Sequence, residues 1–544
     1  MNGRLERTRA SMLWAAWADA LGFISELTSA ENLRRRTRGR ELTRPMPWSR
    51  IVGGRMGVRV ELPEGCYSDD TQLRLATSRA ISNHGFDVEA FARVEMPVWP
   101  SYALGGGRAS KAAAAAMAKQ QANWANNFFD GWENAGGNGA AMRIQPHVYA
   151  APELRSLRHL DDVICNTIVT HGHPRGIIGA VFHAVALTFT LDRGAVPGPD
   201  SFGTLLQATR DALGAFERQP ELAGYWLPQW ERKTERSFAL CWHETIDEVE
   251  EILRTAAPAW RILHAAGQNR DEAIRGYGEL VRLLRLEDET VRGSGTLTSA
   301  AALLLASAFP DHPAQSAQIA ASRLHTDTDT IGTMAAAIVG AASPKDLLSP
   351  VLDEDYLRSE ADRLYAISQG RAADTFPYPD LLNWQPPKSA VDATGIDDGN
   401  LALAGISYLS VTGQATTNKD GAWVWARTWF GQSVLVKLRR ELRQLPTGNR
   451  PLERRPQPTE AIPYEEPTPP KSAPRQLELT EQPLFDDADL RASGVALDDL
   501  LAQLARDGYP DLGLGKAIRL LAENGNEDDL RRFTAEIAPR LKRR

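Results

Sequence analysis

Cysteine is scarce in this chain: 3 residues in 544. Cys66, Cys165 and Cys241 are odd in number, widely spaced and without partners at metal-ligand spacing. That excludes a disulfide framework and a zinc finger, and a reduced, cytoplasmic setting is expected. No run approaches the roughly 18 apolar residues that a bilayer span needs. The first residues, Met1-Asn2-Gly3-Arg4-Leu5-Glu6-Arg7, hold no apolar signal core, so no membrane partner is expected. Charge of one sign is lacking too: 62 Lys and Arg against 69 Asp and Glu leave a net −7. This gives no global argument for nucleic acid as a partner. An alternating strand series is absent from residues 1–385, where helical periods dominate. With 43% hydrophobic and 24% charged residues, what remains is an ordinary globular composition, long enough for two or three domains.

Two oxygen-rich clusters stand out. Ser68-Asp69-Asp70-Thr71 places two carboxylates between two hydroxyls, just before the apolar helical spacing of Leu73 to Ile81. Ser68 or Asp69 is the expected N-cap. Far down the chain, Asp327-Thr328-Asp329-Thr330 repeats this chemistry and runs into the small-residue segment Met334 to Ala341. Either cluster alone reads as a capping pair facing water. Together, on helices that look buried, they suit hard divalent cations, because unpaired buried charge is costly.

Further blocks fall between them in order: Ala18-Asp19-Ala20-Leu21-Gly22, Tyr102 to Arg108, Gly137-Asn138-Gly139-Ala140-Ala141-Met142-Arg143 and Thr170-His171-Gly172-His173-Pro174. With the two clusters, these resemble the motifs of the ADP-ribosylglycohydrolases, the family that includes the dinitrogenase reductase-activating glycohydrolase and the ADP-ribosylhydrolases. The resemblance covers roughly residues 10–345. It implies an all-α fold with a central di-metal cleft and hydrolysis of a glycosidic bond at C1″ of ADP-ribose. The implied metal ligands are Ser68, Asp69, Asp70, Asp327, Asp329 and Thr330, with Thr71 an alternative to Ser68, holding two Mg2+, or Mn2+ in their place. The implied catalytic residues are Glu26, Asp69, Asp70 and Asp329, and the substrate-binding residues Gly137, Asn138, Gly139, Ala140, Met142 and His171. Asp19 would brace the site without touching substrate. The substrate would be an ADP-ribosylated protein, nucleic acid or small molecule. Ala18 departs from the family's first glycine, and His325-Thr326 stand where glycines commonly precede the second cluster. These departures motivate an alternative: a catalytically weak ADP-ribose-binding protein, an accessory in toxin immunity or phage defence.

Other features read two ways. Arg34-Arg35-Arg36, Arg38, Arg40 and Arg44 form a solvated loop or meet pyrophosphate. Trp124, Phe128, Phe129 and Trp132 stack on an adenine or seal the domain surface. His183 is expected to be a core residue, and residues 200–290 an insertion into the family core. The expected organisation is a catalytic domain at 1–385, a small α+β appendage at 386–445, a proline-rich linker at 446–484 and a helical module at 485–544. Within the appendage a hairpin turn is expected at Asn418 to Gly421, and a charged helix after Val434 to Leu438. The last module, read as three short amphipathic helices, is expected to recruit a protein partner.

Overall fold

Met12 to Ile24 is apolar or small on nearly every face, and a helix of that kind belongs in the middle of a protein. In the computed structural model it is the inner part of helix α1 (Asn2–Ser25), with Trp14, Trp17, Leu21 and Phe23 all buried. The structure describes residues 2–53, 57–119, 122–418, 421–452, 501 and 532–537. They fall into two units, 1–464 and 465–544. In the second unit 532–537 is helical; the other expected helices, and most of the expected linker, lie outside the described residues.

In the first unit α1 is followed by α2 (Ala30–Thr37), the hairpin of β1 (Trp48–Val52) and β2 (Val58–Leu62), and α3 (Asp69–Arg79). Further on come α4 (Pro174–Arg193), α5 (Phe238–Ala265), α6 (Arg270–Leu284), α7 (Gly295–Ala308), α8 (Thr328–Ala342) and α9 (Glu354–Ser368). α1 and α8 run antiparallel in close contact. A Cβ on Gly22 would lie 2.5 Å from the Asp329 Cα, and one on Gly340 would lie 2.8 Å from the Ala10 carbonyl oxygen. Three hydroxyls stitch this contact: Ser11 to the Ala337 carbonyl (2.7 Å), Thr333 to that of Ala15 (2.7 Å) and Thr328 to that of Gly22 (2.9 Å). Ala18, by contrast, faces Gly332, where even an added Cβ would stand 3.6 Å from the Ala18 carbonyl oxygen. The extra methyl at residue 18 is therefore accommodated by a glycine on the neighbouring helix. Gly22→Ala should cost about 1–3 kcal/mol by overpacking, whereas Ala18→Gly should cost no more than about 1 kcal/mol of helix propensity. Chemical denaturation of both variants checks the contrast; equal losses would remove the close-approach account.

α4 is long and apolar enough by composition to cross a membrane, but 89% of its apolar window is buried inside this unit. His173 caps its N-terminus through the Arg175 N–H (3.1 Å) and Gly194 closes it with φ 69°. Its His183 is buried, with Nε2 bonded to Gln145 Nε2 (3.1 Å). α5 and α6 belong to the expected insertion, and Phe238 and Trp242 of α5 form an aromatic cluster with Phe216, Trp226 and Trp230 from the preceding chain.

Two expectations are corrected. The region before residue 385 is not strand-free: Trp48–Leu62 forms the β1–β2 hairpin, whose second strand alternates buried and exposed residues over Val58-Arg59-Val60-Glu61-Leu62. A period of two over five residues was too short to compete with the surrounding helical signal. The charged helix expected after Val434 to Leu438 does not form, and residues 439–446 are non-helical. That segment closes a six-stranded antiparallel sheet of β3 (Thr394–Asp397), β4 (Asn400–Leu403), β5 (Ser407–Val411), β6 (Thr416–Asn418), β7 (Gly421–Thr428) and β8 (Ser433–Leu438), in the order β8-β7-β5-β4-β3. β6 pairs with β7, Asn418 opposite Gly421, as the expected hairpin requires. The chain after β8 pairs with the sheet instead of coiling: Leu445 N–H donates to the Ile396 carbonyl (2.9 Å). The sheet shares its apolar core with the helices, and Asn449 ties the next segment back by donating to the Gln385 carbonyl (2.6 Å).

Candidate functional site

Helix α3 begins in a buried place, so its first N–H groups need partners other than water. Ser68 is the N-cap and accepts from the Asp70 N–H (3.2 Å). The rest of the turn is capped from α1. Asp19, fully buried, accepts the Ser68 N–H (2.8 Å), the Thr71 N–H (2.9 Å) and the Thr71 hydroxyl (2.6 Å). Arg74 donates to Thr71 Oγ1 (2.6 Å) and Thr333 Oγ1 (3.1 Å), joining this turn to α8. Asp19 thus sets the height of α3 against α1.

The first turn of α8 meets that of α3. Asp327 is its N-cap residue, Asp329 lies in the first turn, and the Thr330 hydroxyl donates to Asp70 Oδ1 (3.4 Å). Glu26 follows the end of α1 and faces the same place. Five carboxylates therefore gather from three chain segments, with helix N-termini of α3 and α8 adding partial positive charge. That does not offset burial at Glu26, Asp69, Asp70 and Asp329. Burial, then the charges of Asp327 and Asp69, push the Glu26 carboxyl up to about 8. Burial and the nearby Asp19 raise Asp69 to about 7. Asp70 and Asp329 are driven well above the ordinary range, first by burial and then by their neighbours' charges.

Asp70 Oδ2 is buried with no hydrogen-bond partner. Among the described residues, no three or more His, Cys, Asp or Glu side chains already stand at coordination spacing. Three of the carboxylates are instead engaged by neutral donors, Asp70 by the Thr330 hydroxyl, Asp329 by the Thr330 N–H (2.9 Å) and Asp327 by Asn138. The groups that could meet a metal ion are all carboxyl and hydroxyl oxygens, and ionised carboxylates crowded together repel one another. The chemistry of this set fits a hard divalent cation, and the orphaned Asp70 oxygen is free to take one.

The Gly-Asn-Gly block lies beside the second cluster. Asn138 Nδ2 donates to Asp327 Oδ2 (2.7 Å) and Thr298 Oγ1 (3.0 Å), and its N–H donates to the Gly293 carbonyl (2.9 Å). Gly137 bridges to Ser294. Gly139 faces His171, where a Cβ would stand 3.2 Å from the imidazole. Ala140 and Met142 are packed in the core. His171 is buried, its Nδ1 2.7 Å from Thr170 Oγ1, and burial lowers it to about 3, so the ring is neutral.

Several organising residues were not singled out in the sequence. Arg143 is fully buried without a carboxylate partner. It donates to the Gly139 carbonyl (2.9 Å), Asn166 Oδ1 (2.8 Å), the Asn166 carbonyl (2.9 Å) and Thr170 Oγ1 (2.9 Å), so one side chain joins two of the blocks. Burial lowers its pKa to about 9. Gly105 lies against Asp69, where any Cβ would overlap Oδ1. Gln72 fixes that turn through the Tyr102 carbonyl (3.1 Å) and the Leu104 N–H (3.2 Å). Of the basic run, Arg36 turns inward, donating to the Ile24 carbonyl (2.8 Å) at the end of α1. Of the aromatic loop, Trp132 packs against Phe128 and Trp226, which joins it to the insertion rather than leaving it open for a base.

Comparison with solved structures finds one described as an ADP-ribosylglycohydrolase-related protein complex, 19% identical, covering 68% of this chain and 100% of that one at a TM-score of 0.42. No curated protein matches the chain. The ADP-ribosylglycohydrolase family model matches residues 1–374, which include both carboxylate clusters and the Gly-Asn-Gly block. The chain belongs to the ADP-ribosylglycohydrolase family, which implies a glycosyl hydrolase.

Proposed function

We propose that this protein removes ADP-ribose from a modified protein, nucleic acid or small molecule by hydrolysing the glycosidic bond at C1″, in a reaction that depends on two Mg2+ ions, or Mn2+ in their place. The observation that carries the reading is the convergence of two carboxylate-bearing helix N-termini on one buried place, beside Asn138. In this reading Ser68, Asp69, Asp70, Asp327, Asp329 and Thr330 hold the ions, whose chemistry when bound is to neutralise the carboxylates and polarise sugar oxygens. Glu26 sits at the end of a helix with Leu27 beside it in a left-handed conformation (φ 45°), and near neutrality its carboxyl can give or take a proton. Asp69, Asp70 and Asp329 share that proton traffic. Asn138, whose amide holds Asp327 in place, and the glycines beside it would line the ribose and diphosphate, and neutral His171 keeps that segment in place. We place the reaction in the cytoplasm and assign partner recruitment to residues 485–544.

The test is ADP-ribose release by the purified chain from arginine-, serine- and DNA-linked substrates, with Mg2+ and then with chelator. Metal-dependent release from one of them is expected, and it names the acceptor. ADP-ribose bound without release from any substrate would replace this reading with that of a binding protein, for which the exposed His325, two residues before Asp327 and at φ 69°, would be the first residue to examine.

A further inference from the structure

The hairpin missed in the sequence carries Arg50 to the edge of the carboxylate cluster. The Arg50 guanidinium stands 4.7 Å above the Phe23 ring of α1 and 5.8 Å from the Trp48 ring, and Nη1 donates to the Leu104 carbonyl (2.9 Å). Phe23 lies three residues before Glu26; Leu104 immediately precedes Gly105, the residue pressed against Asp69. One side chain therefore links the segment that presents Glu26 to the turn that confines Asp69. Its planar fork allows stacking and directed donation together, which a lysine cannot reproduce.

The hairpin does not hold itself there. Its inner face forms a separate apolar cluster in which Phe23, Ile24, Trp48, Val60 and Leu62 meet Trp423 and Leu435 of the sheet. Trp423 fills the space beside Gly53, where no Cβ would fit, and Trp425 Nε1 donates to the Glu61 carbonyl (3.1 Å). The same sheet grips α3 at both ends. Before its N-terminus, Tyr67 OH and the Ser433 N–H and hydroxyl all donate to Asp353 (2.7 Å each). At its C-terminus Arg79, paired with Glu95 in full burial (2.7 Å), donates to Gln432 Oε1 (2.8 Å). All these sheet residues lie beyond the part matched by the family model.

We propose that Arg50 is a positioning residue of the site, fixed by the C-terminal sheet through Trp423, and that it sets the relative placement of Glu26 and Asp69. This rests on the hydrolase reading for its consequence in turnover, but not for its consequence in structure. In the full chain, Arg50→Ala and Trp423→Ala should each lower kcat on the order of 10²-fold with KM nearly unchanged, the scale expected for small misplacement of reacting groups. Arg50→Lys should recover only part of the loss. Combined, the two changes should cost about as much as one, because they act in one chain of contacts. Arg59→Ala, an exposed change on the same hairpin, should leave turnover as it was. Hydrogen exchange gives the readout that needs no activity: both alanine variants should exchange faster at residues 22–27 and 102–107 together. Trp423→Phe provides a milder variant should Trp423→Ala not fold. Unchanged exchange at either segment in Arg50→Ala, or fully additive losses in the double variant, would overturn the proposal. An inactive wild-type chain with the expected exchange changes would instead defeat the hydrolase reading alone.

Discussion

Asp70→Asn should cost the protein about 10²–10⁴-fold in ADP-ribose release, the range for losing a proton-handling group, and at the same time make the metal-free chain more stable. The second half follows from the site's electrostatics. Asp70 is buried, its Oδ2 has no partner, and it is crowded by Asp19, Asp69 and Asp327. Asn keeps the shape, has no charge to be suppressed by protonation on folding, and still offers an oxygen to the Thr330 hydroxyl. Relief of about 1–3 kcal/mol is expected at pH 8, the usual scale for an unsatisfied buried group. Denaturation in chelator checks the stability, and initial rates check the turnover. A variant that loses both would show that Asp70 holds the fold together; one that loses neither would remove it from the site. The pairing of opposite effects is what distinguishes a functional carboxylate from a capping one.

The second large effect is a stabilisation by Mg2+ that grows with pH. Glu26 is raised to about 8 and Asp69 to about 7 in the folded chain, with Asp70 and Asp329 also driven well above the ordinary carboxyl range by burial, while unfolded carboxyls titrate near 4. The folded state therefore holds protons that the unfolded state has released. By linkage its stability is greatest below about pH 4 for these groups and falls as pH rises through about 8. A cation competes with those protons and replaces them as the partner of the carboxylates. At about 100 times its dissociation constant it should add about 2.7 kcal/mol at pH 8.5, and little at pH 5. Buried histidines act in the opposite direction. His147 and His183 are lowered to about 3 and His159 to about 4 by burial, so their contribution is lost as pH falls below about 6.5. Comparing melts with and without Mg2+ at each pH cancels that background. A shift of the same size at pH 5 and 8.5 would mean that the ion binds elsewhere.

Much of the site was legible because its chemistry is local in sequence. Asp69-Asp70 and Asp327-Thr328-Asp329-Thr330 each open a helix, and a helix start has a signature in residue types. The two came together through α1 and α8, whose small residues were visible as composition, while the antiparallel stitching by Ser11, Thr328 and Thr333 was not. Arg143, read only as the end of its block, and Arg50 were given no role for a different reason. Nothing near either one in sequence distinguishes an arginine that donates to carbonyls inside the body from one that points into water. The same limit misread residues 439–446: their charged residues after the strand Val434 to Leu438 suit a helix equally well, and only the pairing of Leu445 with Ile396 of β3 decides.

The sheet also bears on how the chain can be divided. The family match ends at residue 374, which invites treating everything before it as a self-sufficient enzyme. Cutting there would leave Phe23, Trp48 and Leu62 facing water where Trp423 and Leu435 now cover them, and would strip Gln432 from Arg79. The smallest portable piece of this protein is therefore the helical body together with its sheet, through Asn449. A designer who moves the carboxylate site to another context must carry strands that never touch it.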